Sequence, residues 1–197
     1  CISANRIYVH APVYDEFVAR LTDAVRGLKV GSGLEPDSKV GPLIERQAVD
    51  KVERHVADAL DRGGELLVGG EALGGLFYAP TVITGVTADA AMASEETFGP
   101  VAGIARFDTE QEAVRQANDT PYGLASYFYS RDVGRIWRVS EGLEYGIVGI
   151  NTGVISTEVA PFGGVKESGI GREGSKYGIE EWLELKYLCI GGIEGRL

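Results

Sequence analysis

Ile147-Val148-Gly149-Ile150 is a fully apolar run of four residues closed by Asn151. A short uninterrupted apolar run is typical of a strand buried on both faces of a parallel sheet. Reading outward, Val133–Leu143 carries Ile136, Trp137 and Val139 at helical spacing, and Leu124–Tyr129 before it is a strand. A strand, a helix and a second strand in that order are the unit of a parallel sheet covered by helices. Downstream lie a glycine-rich loop, a short helical segment at Ile179–Leu183 and a terminal strand at Tyr187–Ile190.

The N-terminal half repeats the alternation. Arg6–His10 is a short strand rich in β-formers, and Pro12 opens a helix where its missing N–H costs nothing. Val13, Phe17, Val18, Leu21, Val25 and Leu28 form the apolar stripe of that helix. After a loop over 31–42, a second helix carries Val49, Val52, Val56, Ala59 and Leu60 on one face and stops at Gly63-Gly64. Glu65–Val68 and Tyr78–Ile83 are short strands around a Gly69-Gly70 turn, with Pro80 marking an edge or an irregular start. Pro100–Phe107 is another strand, and Thr109 with Glu112 forms a capping box ahead of Ala113, Val114 and Ala117. The fold class is therefore α/β, a mostly parallel, helix-covered sheet. No repeat or low-complexity tract is visible.

The 197 residues suffice for one domain or one large piece, and 44% hydrophobic residues are enough for a real core. A formal charge of -10 with scattered basic residues argues against nucleic acid and against an anionic membrane surface. No apolar run approaches a membrane span, and no signal peptide is recognisable. Cys1 and Cys189 give neither a disulfide framework nor a metal cluster, so no metal is expected and the plain reading is a reducing, cytoplasmic compartment. His10 and His55 are far apart and read as ordinary surface or packing residues. Gly163-Gly164 and Gly169-x-Gly171 lie in a loop, without the strand-to-helix context of a dinucleotide fingerprint.

Three clusters carry chemistry by occurring together and in order: Cys1-Ile-Ser-Ala-Asn-Arg6, Glu95-Glu96-Thr97-Phe98-Gly99-Pro100, and Ala160-Pro161-Phe162-Gly163-Gly164-Val165-Lys166-Glu167-Ser168-Gly169. They resemble the aldehyde dehydrogenase superfamily over residues 1 to about 192. Glu144–Gly153, Ile155-Ser156-Thr157-Glu158 and the ending from Lys186 to Gly191 are similar to its bacterial succinate-semialdehyde dehydrogenase subgroup.

The resemblance implies that Cys1 is the catalytic nucleophile. Its thiolate would attack the aldehyde, and the oxyanion would be held by backbone N–H groups. Glu96 falls on the carboxylate that grips the nicotinamide ribose, and Phe98 on the aromatic beside the nicotinamide ring. Both imply NAD or NADP as cofactor, and the residues that choose between the two are expected in another domain. Ser156 falls on a substrate-pocket serine suited to a semialdehyde's far carboxylate, and Phe162 on a pocket aromatic. A solvated loop acid, a core ring and a solvent-facing serine are the plain alternatives. Ser3 replaces the second cysteine that some relatives use as a redox partner.

By the same resemblance, residues 1–184 are a catalytic (thiol) domain portion. Residues 185–192 are a terminal strand that joins a neighbouring subunit in a dimer or tetramer. Residues 193–197 contain Ile-Glu-Gly-Arg, a protease recognition sequence, and are either native or an expression scar. The nucleotide-binding domain, the water-activating Glu, the oxyanion Asn and the substrate-binding arginines precede the nucleophile in the family. The 197 residues alone are accordingly expected to be inactive. Succinate semialdehyde is the expected substrate, with glutarate semialdehyde or another aldehyde as the alternative. A non-catalytic self-association module is the reading from a different class. A cysteine hydrolase using His10 as base is the weakest, because His10 lies on a strand pattern.

Overall fold

Thr81-Val82-Ile83-Thr84 is buried at every residue, and its surroundings show why. Successive strand side chains point to opposite faces. Ile83, with Tyr78, packs against Val49, Val52, Val56 and Ala59 of one helix. Val82, with Val9 and Ile104, packs among Tyr14, Val18, Leu21 and Val25 of another. A helix on each face leaves the strand between them no contact with water, as expected for a parallel sheet.

The computed structural model describes residues 2–192 and Gly195. Cys1, the expected nucleophile, and Ile193, Glu194, Arg196 and Leu197 of the expected scar lie outside the described residues. The chain divides into two compact units, one of residues 1–120 and 137–143, the other of residues 121–136 and 144–197.

In the first unit, β1 (Ile7–His10) leads through a 3-10 turn containing Pro12 into α1 (Tyr14–Arg26). Then come α2 (Arg46–Asp61), β2 (Glu65–Val68), β3 (Ala72–Gly74), β4 (Phe77–Tyr78) and β5 (Thr81–Thr84). They are followed by α3 (Ala91–Ser94), β6 (Val101–Phe107) and α4 (Glu110–Asn118). The sheet order is β1-β6-β5-β2. β1 and β5 run parallel to β6, and β2 closes the edge antiparallel to β5. The expected mixed α/β fold with a parallel-dominated sheet is what forms. Val49, Val52, Val82, Ile83 and Ile104 are fully buried. Each contributes about 1.5–3 kcal/mol relative to an exposed position.

Pro80 does not mark an edge: it immediately precedes β5, an inner strand. Its missing N–H falls just ahead of the ladder, where β2 and β5 shift register between Leu66 and Val68. The irregular start is real. The β3–β4 hairpin was not expected, because Ala72-Leu73-Gly74 carries no β-branched residue. Half of the expected capping box at α4 forms: Glu112 N–H donates to Oγ1 of the N-cap Thr109 at 3.2 Å, while the Glu112 carboxylate accepts at 2.9 Å from the N–H of Asp108, one residue before the cap.

The second unit contains β7 (Tyr122–Gly123), β8 (Ala125–Phe128), β9 (Ile147–Ile150) and β10 (Val165–Lys166). α5 (Val133–Gly142) begins in this unit. β8 and β9 pair in parallel, as their alternation with α5 requires, and β7 pairs antiparallel with β10. β9 is less buried than its composition implies. Only Gly149 is fully covered, since among the described residues the β8–β9 sheet has two strands. Gly146, just before β9, lies against the backbone of Gly163 and Gly164, and a Cβ there would collide with the Gly163 carbonyl.

The expected strand Tyr187–Ile190 is not formed. Residues 183–192 have no regular secondary structure, and Leu185, Tyr187, Leu188 and Ile190 are exposed. A strand requires a neighbour for its backbone groups, and no described strand pairs with this segment.

Tyr78 is 1% exposed, and its hydroxyl has no hydrogen-bond partner among the described residues. Burial pushes its pKa above the usual value, with the Glu53 and Glu71 carboxylates adding to the shift. Removing an unsatisfied buried hydroxyl without changing the ring's shape is close to neutral or favourable. Tyr78→Phe is therefore expected to leave Tm unchanged or to raise stability by up to about 1 kcal/mol. A clear loss of Tm on calorimetry would show that the hydroxyl has a partner in solution.

Candidate active site

Glu96 and Phe98 share one loop, between α3 and β6. The loop has little secondary structure of its own, so side chains from elsewhere set its shape. Asn5, four residues along the chain from Cys1, is one of them. Its amide Nδ2 donates to the carbonyls of Met92 at 2.8 Å and Glu95 at 3.3 Å, while Oδ1 accepts from Thr97 N–H at 3.0 Å. An amide is suited to this task because it donates and accepts at once.

His55 holds the same loop from α2. Its ring is wholly buried, with Nε2 3.1 Å from a Glu95 carboxylate oxygen and Nδ1 3.1 Å from Thr97 Oγ1. A carboxylate only accepts, so Nε2–H donates to Glu95, and Nδ1 shares a hydrogen bond with the Thr97 hydroxyl, which can serve as donor or acceptor. Arg54 donates to the same Glu95 oxygen at 3.0 Å. The hydrogen bond from His55, reinforced by Arg54, holds the Glu95 carboxyl below its usual range. One turn further along α2, Asp58 accepts the Ala91 N–H at 2.6 Å at the start of α3. That bond, with Arg62 beside it, depresses the Asp58 carboxyl as well.

Glu96 itself is exposed, and its carboxylate makes no hydrogen bond among the described residues. Of the residues on either side of it, Glu95 is held by Asn5, His55 and Arg54, and Thr97 by Asn5 and His55. Phe98 is 65% exposed and adopts a left-handed backbone with φ 50°, which is uncommon for a bulky residue. Gly99 then lies so close to Val52 of α2 that a Cβ would collide with it. Thr97 and Phe98 border an open depression of about 540 Å³, which Ile44, Gln47, Lys51 and Arg54 also line. An outward carboxylate without a protein partner suits a diol, and an exposed ring suits a flat aromatic ligand.

Arg6 ties the N-terminal segment to α4. It donates to the Gln116 carbonyl at 2.9 Å and the Ala117 carbonyl at 2.8 Å, the position where a helix favours positive charge.

Ser156 and Phe162 belong to the second unit. Ser156 is exposed, in a stretch without helix or strand. Phe162 is half-buried and pairs its backbone with Glu173, each N–H donating to the other's carbonyl at 2.8 Å. Arg172 Nη1 braces the same loop by donating to the Gly164 and Gly171 carbonyls, both at 2.7 Å. Cys1 lies outside the described residues. His10 is exposed and stacks on Phe107 with centroids 5.1 Å apart. Among the described residues no group of three or more metal-ligating side chains comes together, and no helix is long and apolar enough to cross a membrane. Sequence reading took His55 as an ordinary surface or packing residue and named Asn5 and Thr97 only within motifs; that the three together hold the loop was missed. The one available signal was that position 55 continues the 52–56–59 face of α2.

The sequence model of the Aldehyde dehydrogenase family matches residues 1–188. The chain is 57% identical over 196 residues to 3-sulfolactaldehyde dehydrogenase of Pseudomonas putida, covering 98% of this chain and 40% of that protein. It is 57% identical to the NADP(+) succinate-semialdehyde dehydrogenase of Escherichia coli, covering 97% and 40%. It is also 57% identical to a glutarate-semialdehyde dehydrogenase of Pseudomonas aeruginosa, covering 98% and 40%. Among solved structures, succinate-semialdehyde dehydrogenase from Burkholderia pseudomallei matches with TM-score 0.94 and 59% identity, covering 96% of this chain and 40% of that one. The chain thus spans about 40% of the length of the curated relatives it matches.

The His55–Glu95 contact has a pH signature. The folded-state pKa of Glu95 lies below the usual 4.5. Its stabilising contribution is therefore complete above that value and is lost as pH falls through the lower, folded value. Glu95→Gln is expected to lower Tm at pH 7, with the deficit shrinking below about pH 4.5. A deficit that stays constant down to pH 3 would mean that the carboxylate's charge plays no part.

Proposed function

Because the chain belongs to the aldehyde dehydrogenase family, we propose that the full-length polypeptide carrying it oxidises a short semialdehyde with a terminal carboxylate to the corresponding acid, using NAD or NADP. The observation that carries this reading is identity of 57%, along almost the whole chain, to three curated dehydrogenases named for 3-sulfolactaldehyde, succinate semialdehyde and glutarate semialdehyde. Succinate semialdehyde is the first choice of substrate and glutarate semialdehyde the second. One or two methylenes shift pocket affinity by only about 1–3 kcal/mol.

In this proposal the Cys1 thiolate adds to the aldehyde carbon and forms a thiohemiacetal, whose oxyanion is stabilised by backbone N–H donors. When bound, the nicotinamide accepts the hydride that the thiohemiacetal loses on becoming a thioester. Water then adds to the thioester, releasing the acid and returning the thiol. Glu96 accepts hydrogen bonds from the ribose hydroxyls. The exposed face of Phe98 would face the nicotinamide ring and keep water from it. Ser156 donates its hydroxyl to the substrate's far carboxylate, and Phe162 packs along its short methylene stem.

A homo-oligomer, dimer or tetramer, is the proposed state. Leu185, Tyr187, Leu188 and Ile190 present exposed apolar side chains on a segment with no strand partner among the described residues, which suits addition to a neighbouring subunit's sheet. Replacing Tyr187 and Leu188 together by Asp should shift the sedimenting species of the full-length protein to a smaller oligomer. An unchanged mass would remove this segment from the interface.

In the full-length protein, Cys1→Ser should lower kcat by at least about 10³-fold. Ser156→Ala should lower kcat/KM for succinate semialdehyde about 5- to 30-fold and leave an uncharged aldehyde of equal length unaffected. The 197 residues alone should give no turnover. A wild-type preference for the uncharged aldehyde would overturn the substrate assignment, and an active Cys1→Ser variant would overturn the nucleophile.

A further inference from the structure

We propose that Asn5 and His55 are positioning residues for Glu96, acting through the two residues that flank it. The inference rests on the reading of Glu96 as the ribose-binding carboxylate and goes beyond it. Glu96 makes no intramolecular hydrogen bond among the described residues, so nothing holds its side chain directly. Its backbone is instead fixed from both sides. Glu95 is held through its carbonyl by Asn5 and through its carboxylate by His55. Thr97 is held through its N–H by Asn5 and through its hydroxyl by His55. Four contacts from these two side chains thus hold the stretch of backbone from which the Glu96 carboxylate projects.

The two grips come from different parts of the chain. His55 is part of the buried face of α2, so it refers the loop to the core. Asn5 lies four residues from Cys1, so it refers the loop to the segment bearing the nucleophile. A carboxylate that orients the nicotinamide end of a cofactor must keep a constant place relative to the thiol, since a small misplacement is costly in rate. The Asn5 amide provides that reference in a single side chain.

Steady-state kinetics of the full-length protein test this. Glu96→Gln should raise the cofactor KM by about tenfold, the scale of a lost hydrogen bond to a charged group. His55→Gln keeps a donor for Glu95 but places no polar atom where Nδ1 meets the Thr97 hydroxyl; it should raise the cofactor KM several-fold and leave the semialdehyde KM unchanged. Asn5→Asp keeps the acceptor for Thr97 N–H but loses the donors, and should do the same. If either variant folds poorly, Thr97→Val removes only the hydroxyl and should reproduce the effect, and Thr97→Ser should restore wild-type values. The double variant His55→Gln with Glu96→Gln should be no worse than Glu96→Gln alone, because His55 acts only through that carboxylate.

Multiplying rather than saturating effects in the double variant would overturn the proposal. So would equal rises in both KM values, or a wild-type cofactor KM in His55→Gln, Asn5→Asp and Thr97→Val while Glu96→Gln is impaired. A Glu96→Gln variant with wild-type cofactor KM would fail the ribose reading itself, and the positioning role with it.

Discussion

One imidazole on the inner face of α2 links the core of the first unit to its chemistry. His55 is wholly buried on the face of α2 that also buries Val49, Val52, Val56 and Ala59. A buried polar ring left unpaired there would cost about 1–3 kcal/mol. Both of its nitrogens are satisfied, and both partners come from the loop that carries Glu96. The packing that buries α2 therefore dictates where that loop lies. Gly99 enforces the same relation sterically, since only a residue without a side chain lets the loop descend onto Val52.

The remaining supports use the ends of helices. Asp58 accepts the N–H at the start of α3, where a helix favours negative charge, and Arg6 covers carbonyls at the end of α4, where it favours positive charge. α4 is held in turn by α5, through paired contacts between Arg138 and Glu110 at 3.0 and 3.1 Å and a bond from Asn118 to the Gly142 carbonyl at 2.7 Å. Charged side chains thus act here less as surface decoration than as connectors between backbone termini that would otherwise be unsatisfied.

Periodicity made the skeleton legible. The apolar stripe of α2, the Thr109 cap of α4 and the parallel pairing of β8 with β9 all follow from local pattern. What local pattern misses is set by distant partners. Asn5 and Thr97 are separated by 92 positions, and no spacing rule links them. Pro80 was half understood, because a missing N–H just before a strand leaves the inner ladder intact. Tyr187–Ile190 has strand composition but no strand neighbour, and pairing rather than propensity decides such a segment. The motif residues Glu96, Phe98, Ser156 and Phe162 are proposed from family resemblance, not from local pattern. Their loops have compositions that any solvated turn could share.

Phe98 shows how a site can oppose the rest of the molecule. Its left-handed backbone stores on the order of 1–3 kcal/mol in a bulky residue, and its ring, 65% exposed, recovers little of that by burial. Glycine would relax the backbone at once. A selection for thermal endurance alone would thus be drawn to this position and would discard the aromatic face. At Phe98 backbone stability and the exposed ring thus pull in opposite directions, and heat-hardened variants of this protein should be sought elsewhere in the sequence.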